Sequence, residues 1–222
     1  MEHSQIMQMT SDFQRMVDEF FTVQCRYQAA MKEVQTKLEI LDDEFQTKHS
    51  RNPIHSMHSR MKTIQSMMEK LQRRDLELSV SSAVENLYDI AGVRIICSYI
   101  EDIYTVADML TRQDDIRIIR TRDYIREPKP NGYRSLHLVV EVPVYLAEGL
   151  DHVPVEVQIR TIAMDFWATL EHTLRYKSQN HVPSDISEEL HRTALDIAAL
   201  DERMQSIHER VEALQSGTEE TE

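Results

Sequence analysis

No proline occurs before position 53 and no glycine before position 92, so the N-terminal segment lacks both residues that most readily end a helix. Apolar side chains recur there at positions 6, 9, 13, 16, 20, 23, 27, 31, 34, 38, 41 and 45, in steps of three and four. That spacing traces one stripe along a helix, or a helical pair, of about 40 residues. Such a stripe packs on the rest of the chain or on a partner helix. The segment KHSRNPIHSMHSR interrupts it, and Pro53 marks the boundary. A second helix is expected over 57–74.

Beyond it the pattern changes to short strands separated by helices. VRIICSY (93–99) reads as a strand and 101–113 as a helix, and further strands are expected over 116–124, 135–146 and 153–160. Pro143 and Pro154 place edges or bulges in the last two. Residues 161–178 read as a helix with Ile162, Phe166, Leu170 and Leu174 at steps of four. A final helix begins near Asp185, whose spacing to Glu188 fits a capping box. Its apolar positions are 190, 194, 197, 200, 204, 207, 211 and 214, and SGTEETE reads as a frayed acidic tail. The chain therefore divides into an N-terminal helical segment (1–52), an α+β core (53–180), and a C-terminal helix with its tail (181–222).

Nothing in the sequence is long and apolar enough to span a membrane, and the polar, acidic residues after Met1 do not resemble a secretory signal. The two cysteines, Cys25 and Cys97, have no zinc-like spacing, and a reducing cytosol suits them. A net charge of −13 argues against a general binder of DNA or of anionic membranes. Yet Arg60, Lys62, Lys70, Arg73 and Arg74 face a single acid, Glu69, within 57–74. Arg117, Arg120, Arg122, Arg126, Lys129 and Arg134 outnumber Asp123 and Glu127 within 116–134. Two basic islands in an acidic protein suit a compact polyanion such as a nucleotide triphosphate.

On the expected helix 57–74, Lys62, Ser66, Lys70 and Arg73 share one face, with Arg60 a turn earlier. This is either a solvated basic stripe or a phosphate cradle. Asp89 stands just before a strand, as a turn former or as an oxygen ligand for a hard cation. Arg94 faces away from Val93 and Ile95 and needs an anionic or aromatic partner. In VPVEVQIRT, Glu156, Gln158 and Arg160 lie opposite Val155, Val157 and Ile159. Arg94, His137 and Glu156 can then line one concave side of the sheet. His55 and His58 lack a third metal ligand, so solvent exposure is expected for them. In PKPNGYRSLHLVVEVPV (128–144), Asn131-Gly132 bends the chain and Tyr133 presents an aromatic ring.

Taken in order, DIAGVRII, NGYRSLHLVV, VEVQIRT and MDFWATLEHTLRYK resemble the alarmone synthetase domain of the RelA/SpoT family over about residues 54–178. The short length is similar to its single-domain small synthetases. The resemblance implies a nucleotidyltransferase-like mixed sheet of about five strands flanked by helices. It implies transfer of the β,γ-diphosphate of ATP to the 3′-hydroxyl of GDP or GTP, giving ppGpp or pppGpp and AMP. Asp89 and Glu156 would hold Mg2+, and Glu156 would also help deprotonate the hydroxyl. Arg60, Lys62, Ser66, Lys70 and Arg73 would grip ATP, with Arg60 and Arg94 flanking the adenine. Tyr133 would stack on the guanine near His137, while Lys129, Arg122 and Gln158 complete the acceptor side. A cytoplasmic homotetramer joined through the terminal helices is implied. No His-Asp dipeptide occurs, so no hydrolase activity is implied.

One branch of the family binds alarmone in a cleft at the centre of its tetramer. Here the matching positions carry Ser56, His58 and Asp165, and an acidic side chain there opposes phosphate. Three alternatives remain open at this stage. The first is a relative acting on adenosine nucleotides or tRNA. The second is an idle nucleotide- or single-stranded-RNA-binding relative, and the third is a helical scaffold. Asp89, Tyr133 and Glu156 together count against the second, and the third leaves the polar strand faces unexplained.

Overall fold

The computed structural model describes residues 2–48, 51–177 and 182–219, with side chains described over 17–48, 51–175 and 182–214. The N-terminal stripe forms one helix, α1 (Glu2–Lys48), rather than a pair. Its apolar positions at 6, 9, 13 and 16 lie outside the described side chains. From Val23 to Phe45 the stripe is buried in its own chain, with Tyr27, Val34 and Leu38 fully enclosed.

The expected helix over 57–74 is corrected. Residues Ile54–Met61 form strand β1, and only Ile64–Arg73 form a helix, α2, capped by the Thr63 side chain on Ser66 N. A bulge between Ile54 and Ser56 shifts the register of β1, so Ile54, Met57 and Met61 fall at helix-like spacing within a strand. Pairing with β2 (Ala91–Cys97) overrides that local signal. Between them lies a short helix that the periodicity did not reveal, α3 (Val80–Asn86), capped by Ser79 on Ser82 N.

Helix α4 (Ile100–Thr111), strands β3 (Arg117–Asp123), β4 (Leu136–Leu146) and β5 (Gly149–Thr161), and helices α5 (Ile162–Lys177) and α6 (Ser184–Glu219) complete the order. The acidic tail is helical through Glu219, and residues 220–222 lie outside the description. The sheet order is β1-β2-β5-β4-β3, antiparallel throughout except for the parallel pair β2–β5. Pro143 and Pro154 sit in the outer part of the β4–β5 hairpin, beyond the reach of β3 and β2, so their missing N–H groups break no ladder.

Register decides what each face carries. Val93, Val157 and Leu138 form one row across the sheet, and Ile95, Ile159 and Leu136 the next. All are buried beneath α1 and α4, each contributing about 1.5–3 kcal/mol. On the opposite face runs the row His58, Arg94, Gln158, His137, Arg122, and beside it Arg60, Gly92, Glu156, Val139, Arg120. The apolar side of each strand fixes its polar side by the period of two.

Candidate active site

The polar rows floor two adjoining clefts. One, of about 320 Å³, is lined by Arg60 and Arg94 together with His58, Asp89, Glu156 and Gln158. The other, of about 330 Å³, is lined by Lys70, Arg120, Arg122, Lys129, Tyr133 and His137, and again by Asp89, Glu156 and Gln158. The three shared residues stand where the clefts meet. Arg60 lies on β1 instead of the basic helix expected for it, exposed at the first cleft.

Asp89 Oδ2 accepts hydrogen bonds from Lys62 Nζ at 2.9 Å and Lys70 Nζ at 2.6 Å. Burial pushes its carboxyl up, but the two ammonium groups outweigh this and hold it below the ordinary Asp value. Asp89 Oδ1 is buried and has no hydrogen-bond partner. An orphaned carboxylate oxygen beside a second carboxylate, Glu156, suits an oxygen-seeking cation such as Mg2+. Among the described residues no cluster of three or more His, Cys, Asp or Glu side chains could hold an ion.

Around Glu156 a hydrogen-bonded chain runs inward. Gln158 Nε2 donates to Glu156 Oε2 at 2.8 Å, and His137 Nδ1 approaches Glu156 Oε1 at 3.4 Å. His137 Nε2 lies 2.8 Å from the Tyr133 hydroxyl, which accepts a bond from Arg160 Nη2 at 2.5 Å. Burial lowers the His137 pKa despite the nearby Glu156, which favours the neutral imidazole. Its proton then sits on Nδ1 facing Glu156, and Tyr133 donates to Nε2. Glu156 is raised by burial, but the bonds from His137 and Gln158 more than compensate, leaving it a carboxylate.

Arg160 is buried and was not among the expected site residues, although it continues the alternation through Glu156 and Gln158. Its guanidinium also donates to Gln158 Oε1 and to Asp165 Oδ1, both at 3.1 Å. The same Asp165 oxygen lies 3.4 Å from Arg94 Nη1. Asp165 is therefore not a bare charge repelling phosphate, because two arginines share it. Burial and the neighbouring Arg160 lower the Arg94 pKa, and its Nε is buried without a hydrogen bond.

The Tyr133 ring is already covered. Arg160 lies 5.0 Å from its centroid on the buried side, and the exposed Lys129 ammonium lies 4.6 Å away, also over Tyr124 at 4.5 Å. Arg122 Nη1 bonds the Tyr124 hydroxyl at 3.1 Å. Arg74, and Arg120 over the Tyr88 ring at 5.0 Å, extend the cationic wall beyond the expected residues. Ser66 and Arg73 line neither cleft. The Ser66 hydroxyl meets Thr63 at 3.0 Å, and Arg73 Nε reaches the Glu69 carbonyl. His55 and His58 are exposed.

The region found in RelA and SpoT proteins matches residues 59–181, which contain nearly all of this wall. The chain belongs to the RelA/SpoT family. Over 186 residues it is 46% identical to the GTP pyrophosphokinase YwaC of Bacillus subtilis, covering 84% of this chain and 89% of that one. It is 38% identical over 190 residues to the GTP pyrophosphokinase YjbM of the same organism, covering 86% and 89%. The fold superposes on B. subtilis small alarmone synthetase 1 bound to its product pppGpp, with a TM-score of 0.82 at 36% identity, over 87% of this chain and 98% of that one. The RelA/SpoT sheet and its flanking helices thus match the mixed five-stranded architecture expected from the sequence.

Proposed function

We propose that this chain is a GTP pyrophosphokinase that makes alarmone, transferring the β,γ-diphosphate of ATP to the 3′-hydroxyl of GDP or GTP and releasing AMP. The observation that carries the reading is the pair of clefts meeting over Asp89, Glu156 and Gln158, since a group transfer needs two substrates at one junction. ATP occupies the cleft of Arg60 and Arg94, and the acceptor occupies the cleft of Tyr133, His137, Lys129 and Arg122. Lys62 and Lys70, held by Asp89 in the free protein, turn to the ATP phosphates. Asp89 and Glu156 would hold Mg2+, which would supply charge neutralisation for the phosphates.

In the reaction the 3′-oxygen bonds to the β-phosphorus as the bridge from the α-phosphate to the β-phosphorus breaks, and the hydroxyl proton passes to Glu156. Gln158 and His137 orient that carboxylate. Positioning and charge neutralisation supply most of the catalysis, as in phosphoryl transfer generally. The protein works in the cytoplasm; among the described residues no helix is long and apolar enough to cross a membrane. It assembles as a homotetramer. The apolar stripe of α5 (Ile162, Phe166, Leu170, Leu174) and the distal stripe of α6 (Leu200, Met204, Ile207, Val211) are exposed on the single chain, as a buried assembly surface would be.

The test is label transfer. Pure protein with γ-labelled ATP and Mg2+ is offered GMP, GDP, GTP, ATP or tRNA separately. Label on GDP or GTP is expected, and its absence there, or its appearance on adenosine nucleotides or tRNA instead, overturns the assignment.

A further inference from the structure

The loop carrying Tyr133 is gripped from behind by the C-terminal helix. Gly132 is buried with φ +89°, a conformation in which a side chain is strained. A Cβ placed on it would lie 2.4 Å from the Ala194 Cβ, 3.4 Å from His191 Nδ1 and 3.7 Å from the His191 carbonyl oxygen. Crowding by α6 therefore demands glycine here independently of the backbone angle. The turn is closed by Gly132 N donating to Lys129 O at 2.8 Å and by Tyr133 N donating to Asn131 Oδ1 at 3.2 Å. From α5, buried Glu171 accepts the Asn131 amide at 3.1 Å, and Trp167 and Ala168 pack with Ala194 beneath Tyr133.

Helix α6 is itself fixed in register. Trp167 Nε1 donates to the Leu190 carbonyl at 3.1 Å, and Thr161 Oγ1 to the buried Asp201 at 2.6 Å. Thr161 ends β5, the strand that carries Glu156, so one strand seats both the helix and the shared carboxylate. No described residue of α6 lines either cleft, so it acts on the site through what it packs against, the Asn131–Tyr133 loop foremost. His191 Nδ1 is buried without a hydrogen bond, which makes its contact with the loop one of shape.

We infer that α6 is a positioning element for the acceptor: Ala194 and His191 hold Asn131–Tyr133 in the bent form that presents the ring. This rests on the reading of Tyr133 as the acceptor's platform. Displacing α6 then weakens GDP and GTP while leaving ATP, whose cleft lies across Glu156, bound as before.

The experiment compares Michaelis constants for GDP, GTP and ATP in the full chain, with thermal melting to verify folding. Gly132→Ala is expected to raise the acceptor KM about tenfold or more, with the ATP KM within about twofold. Adding Ala194→Gly opens space for the new methyl group, and the double variant is expected to recover about threefold or more, leaving only the backbone strain. Ala194→Leu, which leaves the glycine untouched, is expected to raise the acceptor KM alone. A double variant no better than Gly132→Ala, a parallel rise in the ATP KM, or a folded Ala194→Leu chain with unchanged acceptor KM overturns the inference. Tyr133→Ala separates the two claims. If it leaves the acceptor KM unchanged, the acceptor site itself is misplaced; if it raises KM while the position-194 variants do not, only the role of α6 fails.

Discussion

Tyr133→Phe removes one oxygen and keeps the ring, so a stacking platform alone would hardly notice it. The structure leads to a different expectation. That oxygen accepts from Arg160 and donates to His137, and it joins the buried guanidinium to the imidazole beside Glu156. An unsatisfied buried donor costs about 1–3 kcal/mol. Arg160 Nη2 keeps Gln158 at 3.1 Å, and the His137 side chain retains 13% exposure to water, so the low end applies. About 1 kcal/mol in a chain of this size lowers the melting temperature by roughly 2–4 °C. The same loss frees the ring to turn, and the acceptor KM should rise about fivefold with little change for ATP. Tyr133→Ala also forfeits the stacking, a further 1–3 kcal/mol or so, and should raise the acceptor KM by about a hundredfold. Acceptor and ATP titrations with thermal melts on both variants test this. A Phe variant with wild-type melting and acceptor KM would refute the claim that the hydroxyl chain holds the ring. A Phe variant as damaged as Ala would show that the ring face contributes nothing.

Glu156→Gln keeps the shape and removes the charge, and should lower turnover between about a hundredfold and ten-thousandfold without unfolding the protein; near wild-type turnover removes Glu156 from the mechanism. Asp201 has its pKa raised by burial, only partly offset by the bond from Thr161, so its contribution to stability is full at acid pH and is lost as pH rises through the folded-state value. Asp201→Asn should therefore melt no lower than wild type at about pH 7, with any advantage shrinking toward about pH 4; a marked destabilisation at neutral pH contradicts this. Leu200→Glu with Ile207→Glu puts charge on the outer face of α6, and light scattering should find a smaller species. Native mass would move the assembly to another surface.

Much of the site was legible because one strand face predicts the other. The valines and isoleucines of β2, β4 and β5 place Arg94, His137, Glu156 and Gln158 together on the polar face, and register then brings them side by side. Arg160 continues the same alternation, yet its importance was hidden, since its partners come from elsewhere: Tyr133 from a loop and Asp165 from α5. The misread start of the basic helix has a local cause, the bulge that gave β1 a helical spacing of apolar residues.

Periodicity also reports that a helix face is apolar without saying what covers it. The stripes of α1 and α6 look alike in sequence, but α1 is buried from Val23 to Phe45 by its own sheet, whereas Leu200, Met204 and Ile207 of α6 stand exposed. In α5 the regular stripe of Ile162, Phe166, Leu170 and Leu174 faces outward, and the inward face is the less conspicuous Met164, Trp167, Ala168 and Glu171. Small residues explain the choice. Ala168 and Ala194 let α5 and α6 close behind Gly132, an approach that leucine side chains at those positions would prevent. The bulky apolar residues are thereby turned outward on both helices. The same packing that closes α5 and α6 behind Gly132 thus leaves an exposed apolar surface on α5 and on the distal half of α6.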